Sequence, residues 1–192
     1  IQTRSTGETT SERVAFIGGG NMASAIISGL IEQGFPANQL DVVEPFAAAQ
    51  EKLKGHFGID AHERPGAFLS DAKMVIWAVK PQVFKDAALQ VRFHTKGCLH
   101  LSVAAGIRSD SMARWLDTER VVRAMPNTPA LIGKGITALF ARSEVSNSDK
   151  NKVEQVIANT GDFLWVTNED QLDAVTAISG SGPAYMFYFM EA

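Results

Sequence analysis

The chain alternates between short apolar runs and longer stretches whose apolar residues recur every three or four positions. Short runs read as strands buried on both faces; the longer period reads as amphipathic helix. Residues 13–17 (RVAFI) form the first run. Met22, Ile26 and Leu30 then recur at helical spacing, with Ala23, Ile27 and Ile31 beside them. Gly34 and Pro36 are placed to stop that helix. The same pattern repeats downstream. Residues 40–44 predict a strand, Pro45 opens a helix over 46–56, 58–60 predict an edge strand, and 64–70 a further helix. Six consecutive apolar residues within 73–79 predict a buried strand, and Pro81 starts a helix over 81–91. Strands over 98–103, 120–125, 135–141 and 163–166 follow, with helices over 109–116 and 148–159. Strands alternating with helices imply βαβ units. The expected fold class is α/β, a Rossmann-like, mostly parallel sheet.

Beyond residue 166 the texture changes. Residues 168–178 predict a helix, Ser179 to Gly182 a break, and Pro183 the start of a second helix. Its segment 185–190 is apolar on every side and requires burial, commonly against another chain. The expectation is an all-α domain whose start alone is present, cut off at Ala192.

The first strand and helix are joined by Gly18, Gly19 and Gly20, and Gly18, Gly20 and Ala23 have the spacing G-x-G-x-x-A. In a strand–turn–helix setting Gly18 permits the tight turn, Gly20 lets a pyrophosphate approach the backbone, and Ala23 lets the helix pack closely on the strand. The helix N-terminus, at Asn21 and Met22, offers unpaired N–H groups to the phosphates. Other predicted strand ends carry small residues and prolines: Glu44, then Ala78, Val79, Lys80 and Pro81, then Ala104, Ala105 and Gly106, then Met125, Pro126, Asn127 and Thr128. Ligands of such sheets bind at the strands' carboxyl ends, so the set suits a dinucleotide cleft. Four of these positions admit two readings. Glu44 either accepts hydrogen bonds from the adenine ribose, which favours NAD over NADP, or is a solvated turn carboxylate. Lys80 either neutralises a phosphate or substrate carboxylate, or is an exposed lysine before a proline. Asn127 and Thr128 either bind the nicotinamide carboxamide or substrate, or hold a turn. Ser179, Gly180, Ser181 and Gly182, ahead of Pro183, form either a carboxylate-binding helix start or a hinge.

Domain boundaries follow from these patterns: 1–11 as a processed leader, expression remnant or disordered tail, 12–166 as a dinucleotide-binding domain, and 167–192 as the start of a C-terminal helical domain. The chain has 192 residues, a formal net charge of -3 and one cysteine. That balance gives no basic surface for nucleic acid and no polybasic membrane patch. No apolar run is long enough for a membrane helix, and the single cysteine suits a reducing, cytoplasmic setting. The four histidines lack metal-ligand spacing, so no metal site is expected. His100, inside an apolar strand, reads as a core residue.

Five segments together resemble the pyrroline-5-carboxylate reductase family: FIGGGNMA at 16–23, AVKP at 78–81, SVAAG at 102–106, VRAMPNTPA at 122–130 and ISGSGPAY at 178–185. The resemblance covers nearly all of 13–192. It implies an NAD(P)H-dependent oxidoreductase, using NADPH or NADH, that reduces 1-pyrroline-5-carboxylate to L-proline in the last step of proline biosynthesis. It implies that the loop from Gly18 to Ala23 holds the pyrophosphate, that Ala78 to Pro81 and Ala104 to Gly106 line the ribose and nicotinamide, and that Met125 to Thr128 face the nicotinamide. It also implies a homodimer or larger homo-oligomer built through the C-terminal helices, with most substrate contacts there. Glu44 departs from the NADPH-favouring pattern of the family. No catalytic proton donor is identifiable. The rival readings are another reductase of the same architecture, β-hydroxyacid dehydrogenase-like or deazaflavin-dependent, and a non-catalytic nucleotide-binding module.

Overall fold

A computed structural model describes residues 12–179, with side chains described for 12–175. Seven strands form one sheet: β1 (Arg13–Ile17), β2 (Leu40–Val43), β3 (Ala72–Trp77), β4 (Leu99–Ser102), β5 (Val121–Pro126), β6 (Gly135–Ala141) and β7 (Gly161–Trp165). Their order is β2-β1-β3-β4-β5-β6-β7. All neighbours pair parallel except β5 and β6, which pair antiparallel. The helices are α1 (Asn21–Glu32), α2 (Ala47–Phe57), α3 (Pro81–Val91), α4 (Ser109–Leu116), α5 (Asn147–Ile157) and α6 (Asp170–Ser179). The mostly parallel α/β sheet expected from the pattern is the one observed.

Two apolar cores explain why the strand runs are continuously hydrophobic. Val14 and Phe16 of β1 point to one face, with Ile26, Ile27 and Leu30 of α1, Leu53 of α2 and Val153 of α5. Ala15 and Ile17 point to the other, with Trp77, Phe84 and Val91 of α3's side and Met112 and Leu116 of α4. Alternate side chains thus enter opposite cores, and a polar residue on either face of β1 would be buried. Gly34 ends α1 at φ +92, with Gly34 N–H on the Ile31 carbonyl and Phe35 N–H on that of Leu30. This is the paired-bond helix stop that a left-handed glycine provides.

Two expected elements differ. Residues 58–60 are not a strand. Gly58, at φ +69, closes the C-terminus of α2, and that left-handed turn prevents an extended run from starting there. The edge contact comes later, as one parallel bridge between His62 and Val43. The helix expected over 64–70 is a 3-10 helix at Ala67–Asp71, because Gly66 is fully extended where an earlier helical turn would need a bend. Of the predicted break, Ser179 is the last residue of α6; Gly180 to Gly182 and the 185–190 segment lie outside the described residues.

Candidate functional site

The parallel strands β1 to β5 put their carboxyl ends on one edge. From β1 the chain crosses to β2 on one side and then to β3 on the other, so the β1/β3 boundary is the crevice at which open α/β sheets bind ligands. Hydrogen bonds past the strand ends lace this edge together. Gly18 N–H donates to Val43 O (2.9 Å), Ala78 N–H to Ile17 O (2.8 Å) and Val103 N–H to Trp77 O (2.9 Å). The structure therefore assembles the Gly18, Glu44, Ala78 and Ala104 segments into one continuous rim. Pairing of β4 with β5 ends at Ser102 and Arg123, so Met125 to Thr128 extend past the end of β4, with Met125 and Pro126 still paired to Ala138 and Thr137 of β6.

The three glycines have separate tasks. Gly18 has φ +97, and a Cβ there would lie 2.4 Å from the Ala78 carbonyl oxygen. Both the backbone angle and the close approach require glycine. Gly19 was not singled out by spacing, yet a Cβ there would meet Leu53 of α2 at 2.7 Å. Its N–H donates to Glu44 Oε2 at 2.7 Å. Gly20 differs from both. It is the N-cap of α1 at φ -80, and a Cβ there would meet no protein atom within 4 Å. Helix α1 has no side-chain cap and no acidic residue in its first turn. Unsatisfied N–H groups and the positive end of the helix dipole thus face open space at the switch point. An anionic phosphate fits that cradle. Ala23 is fully buried beneath it, while Met22 packs on the core from a partly exposed position.

Glu44 is 6% exposed, so it is not a solvated turn carboxylate. Its Oε2 holds Gly19 and its Oε1 accepts from Phe46 N–H at 3.1 Å. The carboxylate braces the glycine loop against the start of α2. A ribose hydroxyl would have to share oxygens that already hold two N–H donors. Lys80 is exposed at the N-cap of α3, ahead of Pro81 at its first turn. Ala78 and Val79 are partly exposed, Ala104 is buried, and Ala105 and Gly106 are exposed. Asn127 Oδ1 accepts from Ile136 N–H at 2.9 Å, and its carbonyl accepts from Ala130 N–H. That oxygen pins the turn, so only the amide nitrogen of Asn127 is left to donate to a ligand. Thr128 beside it is exposed.

His100 is a core residue, as expected, but only one of its nitrogens is satisfied: Nε2 has no partner among the described residues. Its Nδ1 accepts from Trp77 Nε1 at 3.0 Å, and burial, followed by the nearby Arg120 charge, lowers its pKa to about 3. A cavity of about 280 Å³ lies at the opposite, amino edge of the sheet, around Val14, Leu30, Phe35 and Met74. It shares no residue with the glycine rim.

A family model described as NADP oxidoreductase, coenzyme F420-dependent, matches residues 13–106. A second, described as pyrroline-5-carboxylate reductase dimerisation, matches 169–192. The first covers residues 13–106 alone; relatives that align over nearly the whole chain decide between the reductases. The pyrroline-5-carboxylate reductase of Pseudomonas aeruginosa is 43% identical over 185 residues, which is 95% of this chain and 68% of that protein. That of Pasteurella multocida is 40% identical over 95% of the chain and 68% of its own length. The solved structure of a pyrroline-5-carboxylate reductase from Coxiella burnetii superposes with a TM-score of 0.84 at 35% identity, covering 94% of this chain and 68% of that one. Likeness of this extent runs through the glycine loop, the strand ends and the first helix beyond the sheet, and on it the chain belongs to the pyrroline-5-carboxylate reductase family.

Proposed function

We propose that the protein reduces 1-pyrroline-5-carboxylate to L-proline with NADPH or NADH. The observation that carries this reading is the uncapped N-terminus of α1 opening behind Gly20 at the β1/β3 boundary, in a chain that is 43% identical to a pyrroline-5-carboxylate reductase. Residues 12–166 form the coenzyme domain and 167–192 begin the helical one. Gly20, Asn21 and Met22 bind the pyrophosphate through backbone N–H groups, while Gly18 makes the turn that admits it and Ala23 seats the helix on the strand. Ala78 to Pro81 and Ala104 to Gly106 line the ribose and nicotinamide with small side chains that admit a flat ring. Met125 to Thr128 close the far side, where the Asn127 amide nitrogen donates to the carboxamide. Ser179 to Gly182 hold the substrate carboxylate. Glu44 keeps the glycine loop in its phosphate-binding shape, and its negative charge tilts the adenine end toward NADH over a 2′-phosphorylated coenzyme.

The bound coenzyme supplies a hydride to the C=N carbon. A protonated imine is already electrophilic, so these residues contribute mainly by orienting both partners and excluding water. The helices matched by the dimerisation family complete the site by bringing two copies together. In the full-length protein, reduced-nicotinamide absorbance should fall only when pyrroline carboxylate is added, with proline formed in equal amount. Coenzyme binding without that consumption would instead identify a non-catalytic nucleotide module.

A further inference from the structure

Behind the rim lies a buried charged group that the coenzyme reading does not use. Glu169 directly precedes α6 and is 7% exposed. Its Oε1 accepts from Ser109 N–H and its Oε2 from Ser109 Oγ, both at 2.6 Å. Oε1 also accepts from Arg123 Nη1 at 3.1 Å. Arg123 is 1% exposed, and its Nε has no acceptor among the described residues. Its remaining ion pair is a longer one, 3.4 Å, to the exposed Asp173. Arg142 adds a bond to Ser109 Oγ at 3.1 Å.

The positions of the two partners give this group its meaning. Ser109 is the first residue of α4, three positions after Gly106. Helix α4 has no side-chain cap from its own N-cap residue, Arg108; the Glu169 carboxylate, 60 residues away, takes that role. Arg123 lies in β5, two positions before Met125. One carboxylate therefore holds the roots of two rim segments, Ala104 to Gly106 and Met125 to Thr128. A buried arginine–carboxylate contact is directional and stiff, and removing one partner strands the other's charge.

We propose that Glu169 is a positioning residue for hydride transfer: by joining Ser109 to Arg123 it sets the separation of the two rim segments that flank the nicotinamide. The proposal rests on the coenzyme reading above. It also ties that separation to the docking of α6, the first helix of the dimerisation match.

The test uses the full chain carrying Glu169→Gln, which keeps the shape and one acceptor oxygen but loses the charge. ADP-ribose probes the adenine and pyrophosphate half of the site, and NADH probes both halves. Losing one buried charged contact should lower kcat about tenfold and weaken NADH binding by a similar factor. Affinity for ADP-ribose should stay within about twofold, because the α1 end of the rim does not touch Glu169. Amide exchange at Ser109 should accelerate. Adding Arg123→Lys to Glu169→Gln should cost less than about twofold more, since both break one link. If Glu169→Gln does not fold, Ser109→Ala, which leaves the backbone N–H contact in place, should show the same pattern at about threefold. A folded variant with unchanged kcat and NADH affinity overturns the proposal, as does ADP-ribose affinity falling in step with NADH affinity. A wild-type protein that binds NADH but ignores pyrroline carboxylate would overturn the functional reading alone, because the comparison of NADH with ADP-ribose still tests Glu169.

Discussion

At the scale of single residues, Gly18 and Gly20 occupy equivalent places in the motif but answer to different physics. Gly18→Ala forces an L side chain into φ +97 and against the Ala78 carbonyl, and should cost about 2 kcal/mol or more of stability. Gly20→Asp meets open space at an ordinary φ. It caps α1, adds a favourable charge to the helix dipole, and should leave stability equal or higher by about 0.5 kcal/mol. The same carboxylate stands where a phosphate would bind, so coenzyme affinity should collapse. Thermal unfolding and coenzyme titration of the two variants separate these outcomes; equal losses of stability would contradict the assignment. The spacing assigned Gly18 to a turn and Gly20 to an approaching anion, and the turn at Gly18 is the part the structure bears out. Gly19 was not legible. Its neighbours are Leu53 and Glu44, and no local rule reports a contact made across the loop. The burial of Glu44 was hidden for the same reason: a strand-end carboxylate looks solvated until Gly19 and Phe46 are seen to hold it.

His100 makes a prediction about acid stability. Its folded-state pKa is lowered to about 3 by burial and Arg120, from 6.5. Well above pH 6.5 neither state is protonated and nothing is lost. As pH falls below 6.5 the unfolded chain takes up a proton that the folded one refuses, and stability falls by up to about 1.4 kcal/mol per pH unit. His100→Gln keeps an acceptor for the Trp77 indole and cannot titrate. Urea midpoints between pH 6.5 and about 4 should fall less steeply in this variant; parallel slopes would show that His100 is protonated in the folded state. Asp149 acts in the same direction. Burial would raise its pKa, but the Arg120 hydrogen bond and the Ser146 N–H outweigh that and hold it low. Its stabilising effect is present above the ordinary carboxylate pKa and is lost as pH falls through the lowered value.

At the scale of elements, the helices differ most at their N-termini. Helix α5 is capped reciprocally: Ser146 accepts from Asp149 N–H, and Asp149 accepts from Ser146 N–H. Helix α1 has no side-chain cap, and α4 is capped from a distant part of the chain. Ser146→Ala should therefore lower stability by about 1 kcal/mol, with no change in coenzyme affinity, because α5 contributes nothing to the rim. A loss of affinity matching the loss of stability would mean that α5 and the rim are coupled. Elements with an internal signal were readable from sequence. The α1 and α3 boundaries follow from glycine stops and Pro81, and β3 from its apolar run. The 58–60 segment was misread because Gly58 serves as a helix terminator while the residues after it still look strand-like. The pairing of Val43 with His62 depends on where the chain returns to the sheet edge, which sequence pattern does not encode.

At the scale of the molecule, α6 is part of the sheet's support. Leu172 and Val175 pack with Ile136 and Ala138 of β6, and Glu169 neutralises Arg123. A chain ending at residue 166 leaves that apolar patch uncovered and the guanidinium buried without its main partner. It should lose about 3–5 kcal/mol of stability and bind a hydrophobic dye, as a urea titration with dye fluorescence would measure. Full stability in the shortened chain would make α6 an appendage. The fold class was readable because strand and helix periods alternate over most of the chain. The long-range ties were not, since nothing in the sequence around Glu169 names Ser109 or Arg123 as its partner.

The antiparallel pairing of β5 with β6 has a consequence for where the chain travels. Had β6 and β7 continued the parallel pattern, β7 would end on the ligand edge, and a helix packed back over the sheet would carry the polypeptide away from it. The single reversal makes β7 end on the far edge instead. Helix α6, returning over β6, is then aimed at the rim where the coenzyme is proposed to lie. One change of strand direction decides that α6 runs toward that rim rather than away from it.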